Sequence, residues 1–284
     1  MMNRLMIWPM IFMLFSSYGW AKEIIWWNSA GAWHIGQPVY DQGVNAKKMN
    51  QTLKSFSQSQ ADIVVLGEYH QPAVEADTFK VLLKKFPFFK YVPVSTLNSH
   101  IGYGIFSKTA FSVNVQNDAL EWGSPITKAE WKKRSENTNW DFTRSLVICQ
   151  FDNFQLIPAH LSQPWTYLNQ ISGLKEILWG TDHPVAYQLN TLNNYQTNLP
   201  TVLIGDFNLP RELMGKTPKA WEKLSRWERV KFPSKVSSFP APSTHFGMPS
   251  MLLDQAFTRN LSQEITGEVF NAEGSDHLPI LIRF

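Results

Sequence analysis

The chain has 284 residues, 44% hydrophobic and 17% charged. That is enough to bury a sizeable core in one large domain or two small ones, and no low-complexity tract or internal repeat interrupts it. Its 26 basic and 23 acidic side chains leave a formal charge of +3, too mild a balance to mark a nucleic-acid-binding protein on its own.

The first 21 residues stand apart. Arg4 precedes an apolar stretch from Leu5 to Phe15, followed by Ser16, Ser17, Gly19 and Ala21. A basic start, a short apolar middle and small residues before a cut site describe a secretory signal peptide, with cleavage expected after Ala21. Pro9 interrupts an apolar run already short for a bilayer span. The expected mature domain is 22–284, exported to a periplasm or secreted. Cys149 is the only cysteine, so no intrachain disulfide is expected and stability must come from packing. Its apolar neighbours, Leu146 to Phe151, make it a small buried side chain.

Ile24 to Asn28 reads as a first strand with a polar last residue. Ala46, Met49, Leu53 and Phe56 recur at helical spacing and predict an amphipathic helix over 45–57. Ala61 to Glu68 is a second buried strand, again ending on a polar group. Ala76, Phe79, Leu82, Leu83 and Phe86 mark a second helix. Gly102 to Ser107 is a short strand, and 114–139 reads as a polar surface excursion. Two strands, 142–151 and 154–160, flank Asp152-Asn153, a tight hairpin signal. Tyr167 to Leu178 and then 185–198 read as helical. After a loop-rich segment, 251–257 is a strand carrying one acid, and 274–283 closes the chain. Strands alternating with helices, with polar groups at strand ends, point to an α/β enzyme in a single domain.

The stretch Thr201-Val202-Leu203-Ile204-Gly205-Asp206-Phe207-Asn208 is the centre of this pattern. An extended backbone sends residues two apart to one side. Asp206 and Asn208 are therefore expected to leave the strand end together, with Phe207 turned into the core. Taken in order, the strand-end polar groups are Asn28, Glu68, His160, Asp206 with Asn208, Asp254, and Asp276 with His277. Paired carboxylates such as Glu68 and Asp276 suit a hard cation, Mg²⁺ or Mn²⁺.

This ordered set resembles the endonuclease/exonuclease/phosphatase superfamily, over about Ile24 to Phe284. The resemblance implies the deoxyribonuclease I-like fold, an α/β (α+β) four-layer αββα sandwich of two packed mixed β-sheets flanked by helices. It implies Glu68 and Asp276 as metal ligands, joined by Asn28. Asp206 would align the nucleophile, and Asn208 and His160 would hold phosphate. His277 would act as general base, oriented by Asp254. Arg144 matches a phosphate-binding Arg of the deoxyribonuclease branch by position, and Tyr103 is a further candidate phosphate contact. Two departures stand out: Gly67 replaces a usual Gln, and Ala30 replaces an acid found in some nucleases, so a second metal is not expected. The activity implied is Mg²⁺- or Mn²⁺-dependent hydrolysis of a phosphodiester, with nucleic acid as first substrate. Lipid headgroups or small phosphoesters are the alternative, and a non-catalytic module of the same fold is the third reading. No protein partner is implied, and a monomer is expected.

Overall fold

The computed structural model describes residues 22–29, 42–70, 77–96, 101–121, 144–162, 178–180, 183–233, 236–239 and 250–284. The expected signal peptide at 1–21, most of the helix expected from Tyr167 and much of the expected polar excursion lie outside these residues.

Among the described residues, twelve strands form two six-stranded sheets. They are β1 (Glu23–Asn28), β2 (Ile63–His70), β3 (Phe88–Pro93), β4 (Ile101–Ser107), β5 (Ser112–Leu120), β6 (Arg144–Gln150), β7 (Gln155–His160), β8 (Thr201–Asp206), β9 (Glu228–Arg229), β10 (Asp254–Arg259), β11 (Thr266–Val269) and β12 (Ile280–Arg283). The first sheet has the order β11-β12-β1-β2-β4-β3, the second β5-β6-β7-β8-β10-β9. Both are mixed: β1 runs parallel to β2 and β7 parallel to β8, whereas β12 is antiparallel to β1 and β10 to β8. The helices among the described residues are α1 (Gln42–Gln58), α2 (Asp77–Leu83) and α3 (Pro184–Asn194), with a 3₁₀ turn at Lys219–Leu224.

Side-chain alternation along the strands builds the layers. In β1, Ile24 and Trp26 face the second sheet, where they join Val65, Val202, Ile204 and Ala256 in one buried cluster. Ile25 and Trp27 face the other way and pack with Met49 and Leu53 of α1 and Leu82 of α2. In β8, Leu203 faces outward to Val185 and Leu189 of α3 and Trp221 of the 3₁₀ turn. The result is the expected four-layer αββα sandwich, with one apolar cluster for each interface between layers. Cys149 lies in the layer between the sheets, where burial raises its thiol pKa, as a small core side chain does.

Residues 114–120, expected in the polar excursion, belong to β5 instead. That strand pairs with β6 from Ser112↔Gln150 to Leu120↔Arg144. A strand at a sheet edge can stay polar because its ladder bonds, not its own burial, hold it in place. No helix among the described residues is long and apolar enough to cross a membrane.

The parallel pairs and the antiparallel returns bring the C-terminal ends of β1, β2, β7 and β8 to the same edge as the N-terminal ends of β10 and β12. His160 pairs with Asp206, Asp206 with Asp254, and Asn28 with Gly67. Helix α1 steadies the last loop of this edge, because Thr52 Oγ1 donates to the Glu273 carbonyl at 2.8 Å and accepts from Glu273 N at 3.1 Å. The β7–β8 approach leaves no room at Gly205, where a Cβ would lie 1.8 Å from the Ala159 carbonyl oxygen. Gly205→Ala is therefore expected to lower unfolding stability by about 1–3 kcal/mol or more, read by urea titration. A variant as stable as the parent would overturn this placement of β7 against β8.

Candidate active site

Asp206 is the node of the cluster. As the last residue of β8 it shares the face of Val202 and Ile204 and points between the sheets. Its Oδ2 accepts from Asn28 Nδ2 at 3.0 Å, a hydrogen bond from one sheet to the other. The same oxygen lies 3.8 Å from His277 Nε2 and 4.0 Å from His160 Nε2. Its Oδ1 accepts the backbone N–H of Asn208 at 2.8 Å.

That last bond changes how Asn208 is placed. The strand stops at Asp206, so simple alternation does not carry Asn208 to the same side. Asn208 instead adopts a left-handed φ of 50° in an Asx-type turn closed by Asp206. Its Nδ2 donates to the Leu161 carbonyl at 2.8 Å, directly after His160. Phe207 is fully buried, as expected, against Trp221 and Phe257.

Glu68 arrives by a different device. Strict alternation would put it with Val64 and Leu66, facing the helices. Leu66 pairs with Gly104 and Tyr69 with Gly102, so Gly67 and Glu68 together oppose Tyr103 in a β-bulge. The extra residue, with Glu68 at φ 48°, turns its carboxylate into the gap between the sheets. There Glu68 Oε1 accepts from Asn28 Nδ2 at 3.2 Å and lies 3.3 Å from His160 Nε2. A non-glycine residue in this backbone region is strained, and such strain collects at functional sites.

Asp254 and His277 form a dyad. His277 Nδ1 meets Asp254 Oδ2 at 2.7 Å, and both side chains are buried. The second carboxylate oxygen of Asp254, Oδ1, accepts from Trp26 Nε1 at 2.7 Å. Ser238 Oγ accepts from the backbone of both Leu253 and Asp254, at 3.1 and 2.9 Å. The His277 backbone is fixed as well: its N–H donates to Ser275 Oγ at 3.1 Å, and its carbonyl accepts from Trp27 Nε1 at 3.0 Å. Ser275 Oγ in turn donates to the Asn28 carbonyl at 2.6 Å. Trp26, Trp27 and Ser238 were not among the sequence candidates. The Trp26-Trp27 doublet before Asn28 is the one sequence signal for the first two, and composition alone makes it core.

The other candidates lie around this centre. Asp276 adjoins the dyad, and its charge is felt at both Glu68 and His277. Among the described residues, two groups bring three potential ligand atoms within 4.8 Å of one another: Glu68 with His160 and Asp206, and Asp206 with Asp254 and His277. Asp276 is in neither. Arg144 Nε donates to the His160 carbonyl at 3.1 Å. Tyr103 is fully buried and packs against Trp26 with ring centres 6.2 Å apart.

The electrostatics describe surplus negative charge in a confined space. Burial raises the Glu68 carboxyl, His277 opposes that shift, and Asp276 adds to it. Burial also pushes Asp206 up, to about 7, with His277 lowering it and Asp254 raising it. Burial works to lower His277, yet Asp254, then Asp206, then Asp276 outweigh it and hold the imidazole at about 10. His160 goes the other way, to about 3, through burial and the charges of Arg144 and His277. A neutral His160 makes its Glu68 contact something other than an ion pair. Positive charge placed among these carboxylates would relieve all the upward shifts together. The donor set fits a hard divalent cation: carboxylate oxygens, plus Asn28 Oδ1, which is buried without a hydrogen-bond partner.

No family model and no curated sequence matches the chain. Solved structures do match. Beta toxin from Staphylococcus aureus, in a variant with bound magnesium ions, superposes with TM-score 0.62 at 14% identity over 92% of this chain and 98% of its own. Sphingomyelinase C from Streptomyces griseocarneus gives TM-score 0.62 at 14% identity, over 93% and 99%. An endonuclease/exonuclease/phosphatase family protein from Leptotrichia buccalis gives 0.59 at 14%, over 92% and 98%. The fold is thus the four-layer sandwich that these solved structures share.

A cation held by this cluster stabilises the folded chain by mass action, by about 2.7 kcal/mol at a hundredfold excess over Kd. The expected result is a higher Tm in Mg²⁺ or Mn²⁺ than in EDTA, with the difference largely lost in Glu68→Gln. Equal Tm values with and without the metal would count against cation binding here.

Proposed function

We propose that this chain is a metal-dependent phosphodiesterase, exported from the cell, with nucleic acid as its first substrate class. The observation that carries the reading is the dyad's direction. His277 gives Nδ1 to Asp254 and turns Nε2 toward Asp206, 3.8 Å away. That gap is too long for a direct hydrogen bond and suits a water held between the two.

A divalent cation, Mg²⁺ or Mn²⁺, would be held by Glu68 and Asn28 with Asp276 or Asp206, and would supply Lewis-acid polarisation of a phosphoryl oxygen. With a cation held among these carboxylates the upward pull on His277 would be relieved, and Asp254 accepts the Nδ1 proton of the neutral ring, which leaves Nε2 as its basic nitrogen. His277 Nε2 takes the proton from the attacking water while Asp206 orients it. Asp254 then stabilises the imidazolium, while the P–O bond to the leaving oxygen breaks on the side opposite the water and that oxygen takes a proton from solvent. His160, neutral and beside Glu68, donates to phosphoryl oxygens as charge develops, together with the side-chain amide of Asn208. Arg144 adds positive charge alongside.

A second substrate reading, lipid headgroup phosphodiesters, draws support from the likeness to sphingomyelinase C. It also draws on an exposed apolar pair: Trp179 with Lys216 over its ring at 5.0 Å, and Met214 at the tip of the Leu213↔Lys216 turn. Plasmid DNA, RNA, sphingomyelin and phosphoinositide incubated side by side with Mg²⁺ decide between them by which products appear. EDTA is expected to stop the reaction, and full activity in chelator would sink the mechanism.

Two further outcomes are expected. His277→Ala should lower kcat by about 10²–10⁴, and Asp254→Asn should lower it too by favouring the wrong tautomer. The double variant should lose no more than the worse single one, because the two residues act as a unit. Losses that multiply would mean independent action. For export, N-terminal sequencing of protein recovered outside the cytoplasm should start at or within a few residues of Lys22, and an intact Met1 would refute cleavage.

A further inference from the structure

Trp26 makes a contact that core packing does not require. It lies on β1 in the layer between the sheets, with no exposed surface. A buried indole needs an acceptor for its N–H. The acceptor here is the Asp254 carboxylate of the opposite sheet, at 2.7 Å. This is a charge-assisted hydrogen bond in a dry layer, the class that fixes geometry most strongly.

Its place on the carboxylate matters. Trp26 holds Oδ1 while His277 Nδ1 holds Oδ2 at 2.7 Å. The backbone of Asp254 is pinned independently by Ser238. Rotation of the carboxylate about its Cβ–Cγ bond would break the Trp26 bond and the His277 bond together. The indole therefore fixes the angle at which Asp254 presents Oδ2 to the ring, and through it the direction of His277 Nε2.

The neighbouring strand is shaped to allow this. A Cβ on Gly67 would lie 2.7 Å from both Cζ2 and Cη2 of Trp26. Those carbons form the edge of the six-membered ring on the side that leads to Nε1. Any side chain at 67 would push the indole from its seat, so the glycine and the tryptophan act as one fitted pair.

We propose that Trp26, seated over Gly67, is a positioning residue for the Asp254–His277 dyad. This rests on the phosphodiesterase reading for its kinetic consequence, but the hydrogen bond itself can be tested without any substrate. In Trp26→Phe the buried ring is largely kept and the donor is lost. With an active substrate, kcat is expected to fall about tenfold or more, with KM changed less than about twofold. Gly67→Ala, which displaces the indole, should reproduce the same split. On an Asp254→Asn background, Trp26→Phe should cost nothing further in kcat, whereas a residue that only fills the core would impose its cost again.

The substrate-free arm uses NMR on the full chain labelled at nitrogen. Asp254→Asn is expected to move the Trp26 indole N–H resonance more than that of any other Trp, and Trp26→Phe to move the His277 Nδ1–H resonance. Should Trp26→Phe not fold, the Asp254→Asn spectrum decides alone. An unmoved Trp26 indole resonance overturns the proposal whatever the substrate proves to be. Moved resonances with no hydrolysis of any phosphodiester would leave the brace standing and remove the phosphodiesterase reading instead.

Discussion

The hydrogen bond from Asn28 to Asp206 crosses from one sheet to the other at the edge where the site lies. Apart from this bond and the one from Trp26 to Asp254, the layer between the sheets is built of apolar side chains, which attract without direction. A polar crossing fixes the register in which the strand ends face each other. Around it stand Glu68 and His160 on one side and His277 on the other, each within 4.0 Å of an atom of that pair. The site thus exists only as far as the sandwich is closed, and a loosening between the layers would separate its two halves.

Holding several acids in a buried gap works against stability. Desolvation raises both Glu68 and Asp206, and the one nearby imidazole that takes up positive charge does not balance them. Glu68 also keeps a left-handed backbone that a non-glycine residue adopts at a cost. The chain meets this locally: Glu68 and Asp206 each have named donors, and the segments that carry Asp254, Asp276 and His277 are tied down through Ser238, Ser275 and Thr52. On the proposed phosphodiesterase reading, a buried charge cluster of this kind serves preorganisation for the reaction and is no source of folding energy.

Gly67 connects a sequence oddity to this arrangement. In the sequence it is a departure from the motif that ends in Glu68. In the structure it performs two tasks at once. It opens the space in which Trp26 lies, and it is the first of the two residues that oppose Tyr103 in the bulge that turns Glu68 inward. Tyr103 completes the group from β4, packed on the Trp26 ring.

The sequence alone determined the strands that lie inside the sheets, because a strand buried on both faces must be an apolar run. Ile24 to Asn28, Ile63 to Leu66 and Thr201 to Asp206 are of this kind. The four edge strands β3, β5, β9 and β11 were not legible, since an edge is held by pairing and can expose polar residues, as Ser112–Leu120 does. The polar groups at strand ends were legible as a set, and Asp254 with His277 as a pair. What only the tertiary structure decided is direction. The bulge that turns Glu68 depends on β4 opposite it, the turn that places Asn208 depends on the Asp206 side chain, and the Trp26 bond to Asp254 joins residues 228 positions apart on different sheets. None of these leaves a local pattern, because each is set by a partner distant in the chain or by a side chain's own hydrogen bond rather than by the alternation of the strand it ends.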